Sequence, residues 1–218
     1  SNQTSILEHA IFKNLSSTNH RSWNIPGAVT FYQSPINIDN CIFDNNNSED
    51  GLNIVRSKFK LTNSEFTNTA SDAIDIDFSD GFIQNIKIKN AGNDGLDISG
   101  SNITLKNINI LKTGDKAISV GEASNLQATD ILISDSPIAL ASKDNSLINA
   151  NNVEINSADI GFAVFQKKPE YDSAKIEINN LIYKNINKLF LLEKESQLRI
   201  NNIEYEANAE NVRSMLYE

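Results

Sequence analysis

Cysteine is nearly absent from this sequence, which contains a single one, Cys41, among 218 residues. A lone cysteine excludes an internal disulfide and a cysteine-based zinc site. Cys41 lies in the alternating run INIDNCIF, and this pattern predicts a small core residue rather than a nucleophile. Chains rich in asparagine and almost free of cysteine are common among exported bacterial proteins. We therefore expect an extracellular, periplasmic or cell-surface location.

Basic residues are in deficit, because 28 Asp and Glu residues outnumber 19 Lys and Arg residues and give a formal net charge of −9. No basic stretch could track a phosphate backbone, so nucleic acid is not an expected partner. No apolar run approaches the roughly 18 residues of a membrane span, and none is expected. The chain opens with SNQTS and without a visible signal peptide. We expect a part of a longer protein, covalently linked to an upstream domain.

Helical periodicity is missing before the last dozen residues, whereas short alternating segments recur every 22 residues. The small residue that opens each segment stands at Gly51, Ala73, Gly95, Ala117, Ala139 and Gly161. Turn-forming Asn, Asp, Gly and Ser residues separate the alternating runs, which are therefore predicted to be strands joined by turns. Strands that recur in one sense cannot form hairpins, and they fit a coil whose turns stack about 4.8 Å apart.

We therefore predict an all-β fold, a right-handed single-stranded parallel β-helix of about nine coils. The right hand follows from the general rule for parallel crossovers. Residues 1–218 are expected to form one domain, with coils over about residues 5–206. The last segment, residues 207–218, has apolar residues on one face and predicts a short helix that could cap the solenoid.

A second register places a polar residue before each apolar-x-apolar triplet. These polar residues are Asn40, Asn63, Asn85, Asn107, Asp130, Asn152, Asn180 and Asn202. Stacked coils would align them in a ladder, which we predict to be buried, with side chains hydrogen-bonded along the axis. Asn107 is expected inside the solenoid, bonded to Asn85 and Asp130.

Several of these units resemble a known family. Small-apolar-x-apolar units followed by strands such as SGSNITLKNINI resemble the parallel β-helix repeats of the pectate-lyase-like superfamily, over roughly residues 5–206. More narrowly, GNDGLDIS, GDKAISVGE, ASKDNS and FQKKPEY are similar to β-helix domains of large bacterial proteins. Some of those proteins also carry a spore-coat-H-type kinase domain. The resemblance implies a β-helix architecture.

The densest acidic stretch is SDAIDIDFSDG, residues 71–81. Inward isoleucines leave Asp75 and Asp77 pointing outward, and Asp97 repeats Asp75 one coil later. Outward carboxylates about 5 Å apart at the backbone approach the roughly 5 to 5.5 Å separation in retaining glycosidases, and their repulsion should raise one pKa. Asp75 and Asp97 are therefore the candidate catalytic residues. The alternative for both is a hydrated polar surface.

Calcium is the one metal that these acids could hold, through carboxylate oxygens of Asp75, Asp77 and Asp97. No other cofactor is expected. The polygalacturonase-like branch of the superfamily also builds its site from aspartates, but its Asp-Asp, Gly-His-Gly and Arg-x-Lys motifs are absent here. The epimerase motif Asp-Pro-His-Asp is absent too, and no Arg stands beside the acids as in the lyase branch.

A second polar group is predicted further along the axis. One spacing of 28 residues in the polar register marks an insertion of about six residues in FQKKPEYDSA, residues 165–174. Such insertions project from one side of a solenoid, often the binding side. Trp23, in another excursion over residues 16–27, could stack on a sugar ring or cover the core edge. The predicted substrate-binding residues are Asp77, Lys116, Glu122, Lys143, Asp144, Lys167, Lys168 and Trp23.

Two functions from different classes remain open on the sequence. The first is an extracytoplasmic β-helix that recognises, and in an enzyme processes, a polysaccharide along its outer face. Such an enzyme would be a glycoside hydrolase or a polysaccharide lyase that acts through Asp75 and Asp97, with Lys143 or Lys167 holding acidic sugar groups. The second is a non-catalytic structural, spacer or adhesion module of a larger multidomain bacterial protein.

Overall fold

A computed structural model describes residues 3–20 and 23–217 of the chain. These residues wind into a parallel β-solenoid of about eight turns, one fewer than the nine predicted. Within the described residues there is one helix, α1 (Val212–Tyr217). The strands are β1 (Ser5–Glu8), β2 (Ile11–Lys13), β3 (Thr18–His20), β4 (Trp23–Ile25), β5 (Gly27–Tyr32), β6 (Ile36–Asp39), β7 (Ile42–Asp44), β8 (Asp50–Val55), β9 (Lys58–Thr62), β10 (Glu65–Thr69), β11 (Asp72–Asp77), β12 (Asp80–Ala91), β13 (Leu96–Ser99), β14 (Asn102–Thr113), β15 (Lys116–Gly121), β16 (Asn125–Lys143), β17 (Leu147–Phe165), β18 (Lys175–Leu192), β19 (Gln197–Ile200) and β20 (Ile203–Tyr205).

Three parallel faces, here called A, B and C, surround the core. Face A contains β5, β8, β11, β13 and β15 and the last parts of β16, β17 and β18. Face B contains β1, β6 and β9, the first parts of β12, β14, β16, β17 and β18, and β19. Face C contains β2, β7 and β10 and the following parts of the same long strands.

The predicted 22-residue register is confirmed on face A. Ile74 pairs with Leu96, and Leu96 pairs with Ile118. The apolar ladder fills the interior, since Leu52, Ile74, Leu96, Ile118, Leu140 and Phe162 are at most 1% exposed. Cys41 is also a core residue, at 1% exposure, as its alternating context predicts.

The asparagine ladder exists, but the prediction that it is buried is wrong. Asn107 is exposed, and its amide donates to Asn85 Oδ1 over 2.8 Å, while Asn85 donates to Asn63 Oδ1 over 2.8 Å. These residues form the corner between faces B and C, where the backbone adopts φ of 50–55°. Asparagine tolerates this left-handed conformation better than most residues, so one asparagine can make the corner. The ladder therefore runs along the outside of the solenoid.

A buried serine ladder performs the role that the sequence assigned to asparagine. At the corner between faces A and B, the backbone N–H of Ser79 donates to Ser101 Oγ over 2.9 Å, and that of Ser101 donates to Ser124 Oγ over 3.0 Å. Ser101 Oγ in turn donates to the carbonyl oxygen of Ser99 over 2.7 Å. Ser57 and Ser146 extend the same pattern. The hydroxyls satisfy corner amides that the strands leave unpaired.

The C-terminal segment folds back on the last coils. Strand β20 pairs with β19 in antiparallel fashion, and the side chain of Asn208 accepts from Leu192 N over 2.8 Å and donates to the Phe190 carbonyl over 3.1 Å. Helix α1 then packs sideways on the outer surface of face A rather than over the end of the solenoid. This lateral position decides which part of face A remains accessible.

We expect Ser101→Ala to lower the free energy of unfolding by about 1–3 kcal/mol, because it leaves the buried amide of Ser79 without an acceptor. Chemical denaturation measures the change. The matched control is Thr104→Ala, which removes an exposed hydroxyl from the same coil and should change stability by about 0.5 kcal/mol or less. Equal effects of the two substitutions would contradict a structural role for the serine ladder.

Candidate functional site

The outer side of face A carries a concentration of carboxyl groups across three successive coils. We call these six residues the acidic cluster: Asp50, Asp72, Asp75, Asp77, Asp94 and Asp97. Strand alternation explains their position, because Ile74 and Ile76 point into the core at 0% exposure and leave the intervening aspartates outside. Asp75 pairs in register with Asp97, as predicted, and also with Asn53 of the preceding coil.

Accessibility differs sharply within the acidic cluster. Asp50 and Asp94 are only 2% and 3% exposed, whereas Asp75 and Asp77 are partly exposed and the Asp97 side chain is 27% exposed. Ser119, the next residue of the Asp97 ladder, is fully buried. A ligand can therefore reach the middle of the cluster but not the ladder beyond Asp97.

Two members of the acidic cluster bind backbone of the following coil. Asp72 Oδ1 accepts from Asn93 Nδ2 over 2.7 Å and from Asp94 N over 2.8 Å. Asp94 Oδ1 accepts from Lys116 N over 2.8 Å. Asp72, the first residue of β11, and Asp94, just before β13, therefore bind the chain itself.

Burial raises the pKa values of five carboxyls of the acidic cluster. The pKa of Asp75 is raised to about 9, first by burial and then by the charges of Asp77, Asp50, Asp97 and Asp72. A neighbouring amide donates a hydrogen bond to this carboxyl, from Asn53 Nδ2 to Asp75 Oδ2 over 2.8 Å. The sequence predicts a raised pKa from repulsion within the Asp75–Asp97 pair; burial is the larger cause.

Four other carboxyl pKa values shift in the same direction. Burial, followed by the charge of Asp72, raises the pKa of Asp50 to about 7. Burial raises the pKa of Asp94 to about 7, although the Lys116 ammonium opposes that shift. The pKa values of Asp72 and Asp77 are also raised, with burial as the main cause. These five carboxyls therefore hold protons more strongly than exposed aspartates do.

Lys143 reaches back along the axis to the acidic cluster. Its Nζ lies 3.8 Å from Asp97 Oδ1, two coils earlier. The side chain crosses over Gly121, where an added Cβ would stand 2.8 Å from Lys143 Cε and 3.1 Å from Lys143 Cγ. The sequence groups Lys143 with the insertion rather than with Asp97. Gly121, in a ladder of larger residues, is the one sequence feature that could have indicated this path.

The other predicted lysines are engaged by the protein itself. Lys116 is 3% exposed, forms ion pairs with Asp115 and Asp94, and lies under the Tyr217 ring with Nζ 5.3 Å from its centroid. Its pKa is raised, although burial alone would lower it, because Asp94 and Asp115 stabilise its charge. Lys168 forms an ion pair with Glu122.

The insertion is a loop over residues 166–174, between β17 and β18, as predicted. Asp144 anchors it, since Asp144 Oδ1 accepts from the backbone amides of Lys167 and Lys168, both over 2.7 Å. Lys167 Nζ lies 4.8 Å from the Tyr217 ring centroid. Burial lowers the pKa of Lys167, and the nearby Lys143 and Lys116 charges lower it further.

Helix α1 separates the acidic cluster from the insertion. Its Val212 is fully buried against an apolar patch on the outer side of face A, and Leu216 packs there too. The patch consists of Ile138, Ala141, Ala163, Phe165 and Leu191. This contact was not predicted from the sequence. The sequence does contain a sign of this contact. The outward position occupied by Asp97 and Ser119 in two coils is occupied by Ala141 and Ala163 in the next two, which leaves an apolar outer surface.

Two exposed aromatic rings stand on the corner between faces A and B. Tyr32 is 57% exposed and lies two coils before Asp77 on one ladder. Phe78 is 52% exposed, and the Arg56 guanidinium lies 5.8 Å from its ring centroid. Trp23, the aromatic residue predicted to bind substrate, belongs to β4, which pairs with β3, but its side chain lies outside the described residues.

Among residues 3–20 and 23–217, no three His, Cys, Asp or Glu side chains converge closely enough to hold a metal ion. A calcium ion at Asp75, Asp77 and Asp97 would therefore require these side chains to move, and this site stays a prediction. The same residues contain no helix with the length and apolar character needed to cross a bilayer.

The family assignment agrees with this architecture. Residues 50–212 match the family described as right handed beta helix region. The match covers more than half of the chain, so the chain belongs to that family. It also confirms the predicted right-handed, pectate-lyase-like β-helix. No curated protein matches the chain.

The raised carboxyl pKa values predict that stability falls as the pH rises from about 5 to about 8.5. A carboxyl that binds its proton more tightly in the folded state stabilises that state fully below the unfolded pKa, near 4. The contribution is lost as the pH approaches the folded pKa, about 7 for Asp50 and Asp94 and about 9 for Asp75. Thermal melts across this pH range measure the slope.

Asp75→Asn, which replaces the protonated acid by a neutral amide, should raise the melting temperature at pH 8 and flatten the slope. At pH 8 the unfolded chain ionises Asp75 freely, whereas the folded chain must keep it protonated beside Asp77, Asp50 and Asp97, and a neutral amide removes that cost. The control Glu65→Gln removes an exposed carboxylate from face C and should keep the wild-type slope. An unchanged slope in Asp75→Asn would mean that Asp75 is ionised in the folded protein at neutral pH.

Proposed function

We propose that the acidic cluster binds a glycan and that Asp75 and Asp97 form the acid–carboxylate pair of a glycoside hydrolase. The observation that carries this proposal is the pairing of Asp75 with Asp97 in adjacent parallel strands, with a pKa of about 9 for Asp75. Such an acid keeps its proton at neutral pH and can donate it to a leaving oxygen. An extracytoplasmic location is part of the proposal and is supported by composition alone.

The two carboxyls have different surroundings, which suit different roles. Asp75 is largely buried and is crowded by carboxyls, which keep it protonated, so it serves as the proton donor. Asp97 is accessible and forms an ion pair with Lys143, so it serves as the carboxylate that attacks the anomeric carbon. Neighbouring parallel strands are about 4.8 Å apart, close to the roughly 5 to 5.5 Å carboxyl separation of retaining enzymes.

The contacts of the lysines argue against an acidic glycan laid from Asp97 to the insertion. Helix α1 covers the intervening outer surface, and Lys116, Lys143 and Lys168 already pair with carboxylates. A short glycan segment over Asp75, Asp77 and Asp97 fits the accessible surface better. Tyr32 offers it an exposed ring at the corner, where sugars can stack.

The test is cleavage and binding on a broad set of neutral, acidic and amine-bearing polysaccharides. We expect wild type to release reducing ends from one class. Asp75→Asn and Asp97→Asn should each reduce the rate by about 10²-fold or more, because each removes a group needed in the transition state. Both variants should still bind that class. Asp80→Asn, an exposed acid of the same coil as Asp75, should keep the wild-type rate.

A structural spacer is the second candidate function, and specific contacts favour it. Asp72, Asp94 and Asp144 bind backbone amides, and Lys116 and Lys168 form internal ion pairs, so these polar residues already have structural roles. If wild type neither binds nor cleaves any polysaccharide of the set, the spacer function is the correct one. Binding without cleavage would retain the glycan site and remove the hydrolase role.

A further inference from the structure

The acidic cluster has too few cations for its carboxyl groups. Six carboxyls face three ammonium groups: those of Lys116 and Lys143 pair with Asp94 and Asp97, and that of Lys167 lies within reach of the Asp97 charge. Lys116 is shared with Asp115, outside the cluster. The carboxyl groups also repel one another, which contributes to the raised pKa values of Asp50 and Asp75. A positively charged ligand would supply the missing counter-charge.

Unpaired polar atoms at the cluster point to the same ligand chemistry. Asp50 is 2% exposed and its Oδ2 has no hydrogen-bond partner. Asp97 Oδ1 is also buried without a hydrogen bond, and Lys143 Nζ, with which it forms an ion pair, lies 3.8 Å away. Buried acceptors without donors are unfavourable. An ammonium group supplies three donors and no acceptor, which matches this set.

Access to the cluster limits the size of the ligand. Asp75, Asp77 and Asp97 are partly exposed, whereas α1 and Lys143 cover the ladder from Ser119 onward. A metal ion is a poorer fit, because no three potential ligands converge among the described residues. An ammonium on a sugar ring needs only a few acceptors within hydrogen-bond distance, and the ring can extend toward the exposed corner with Tyr32.

We propose that the acidic cluster binds a sugar that carries a protonated amine, so that the glycan of this site is an amine-bearing, deacetylated polymer. The ammonium group lies among Asp75, Asp77 and Asp97. This inference rests on the proposed glycan-binding function and narrows its ligand class. A uronate polymer is excluded by repulsion from the same carboxyls. Binding of the cation favours ionisation of Asp77, whose pKa is raised, so it releases protons, while Asp75 keeps the proton that it donates.

Titration calorimetry with four-unit oligosaccharides tests the proposal. The probes are a β-1,4-linked glucosamine tetramer, its fully N-acetylated form and a galacturonate tetramer, at a mildly acidic pH that keeps the sugar amines protonated. We expect the glucosamine tetramer to bind at least ten-fold more tightly than the acetylated one. Its binding heat should depend on the buffer, because protons are released. The galacturonate tetramer should bind weakest.

Two controls separate the site from general attraction to a chain of net charge −9. Tetralysine has the same charge as the glucosamine tetramer and should bind at least ten-fold more weakly. Asp97→Asn and Asp77→Asn should each weaken binding of the glucosamine tetramer by about ten-fold, whereas Glu65→Gln on face C should not change it. Melting curves of each variant confirm that it is folded.

The outcomes distinguish this inference from the function on which it rests. Equal or tighter binding of the acetylated or galacturonate tetramer would overturn the amine preference and leave the glycan site intact. Equal binding of tetralysine, or equal loss in Glu65→Gln, would reduce the effect to general charge attraction and overturn the inference. A calcium-dependent rise in melting temperature that Asp97→Asn abolishes would identify a metal site instead. Binding to no glycan at all would overturn both proposals.

Discussion

The stacking of one coil on the next is the constraint on which the rest of this structure depends. A 22-residue coil brings each residue next to its equivalent about 4.8 Å away, so each position becomes a ladder. The side chains of a ladder must therefore be of a kind that can stack on copies of themselves. Leucine and isoleucine pack inside, serine hydroxyls accept corner amides, and exposed asparagines bond to one another. Aspartate is the exception, because stacked carboxylates repel unless some are protonated or paired.

The chain manages this repulsion in two ways along face A. In the early coils, Asp75 and its neighbours are partly buried and hold protons more strongly, while Asn53 separates charges at one end of the ladder. In the later coils, lysines replace aspartates and α1 covers an apolar surface. Lys143 links the two regions by crossing Gly121 to Asp97. The accessible carboxyls of the acidic cluster lie at the boundary between the repulsive and the apolar ladders.

Sequence periodicity was sufficient to predict the fold because the repeat is itself the structural rule. It also gave the register of Asp75 with Asp97, since both are fixed by the same 22-residue spacing. It failed for the asparagine ladder, because periodicity does not tell a corner residue from a buried one. Asn107 is outside since a left-handed backbone turns its side chain away from the core. Two other features do not repeat and so could not be predicted from periodicity. They are the contact of the long Lys143 side chain with Asp97 and the packing of α1 on face A.

The partners of the stacked aspartates indicate whether the acidic cluster is structural or binds a ligand. A purely structural ladder would be expected to pair its acids, as Asp72, Asp94 and Asp144 do with backbone amides. Asp50 Oδ2 and Asp97 Oδ1 are buried atoms without a hydrogen bond, although Asp97 forms an ion pair with Lys143, and Asp75 has a pKa of about 9. Such features destabilise the folded chain, and natural proteins tolerate them mostly at sites that act on another molecule. The combination of unpaired acids and a nearby accessible surface therefore favours a ligand site over a spacer.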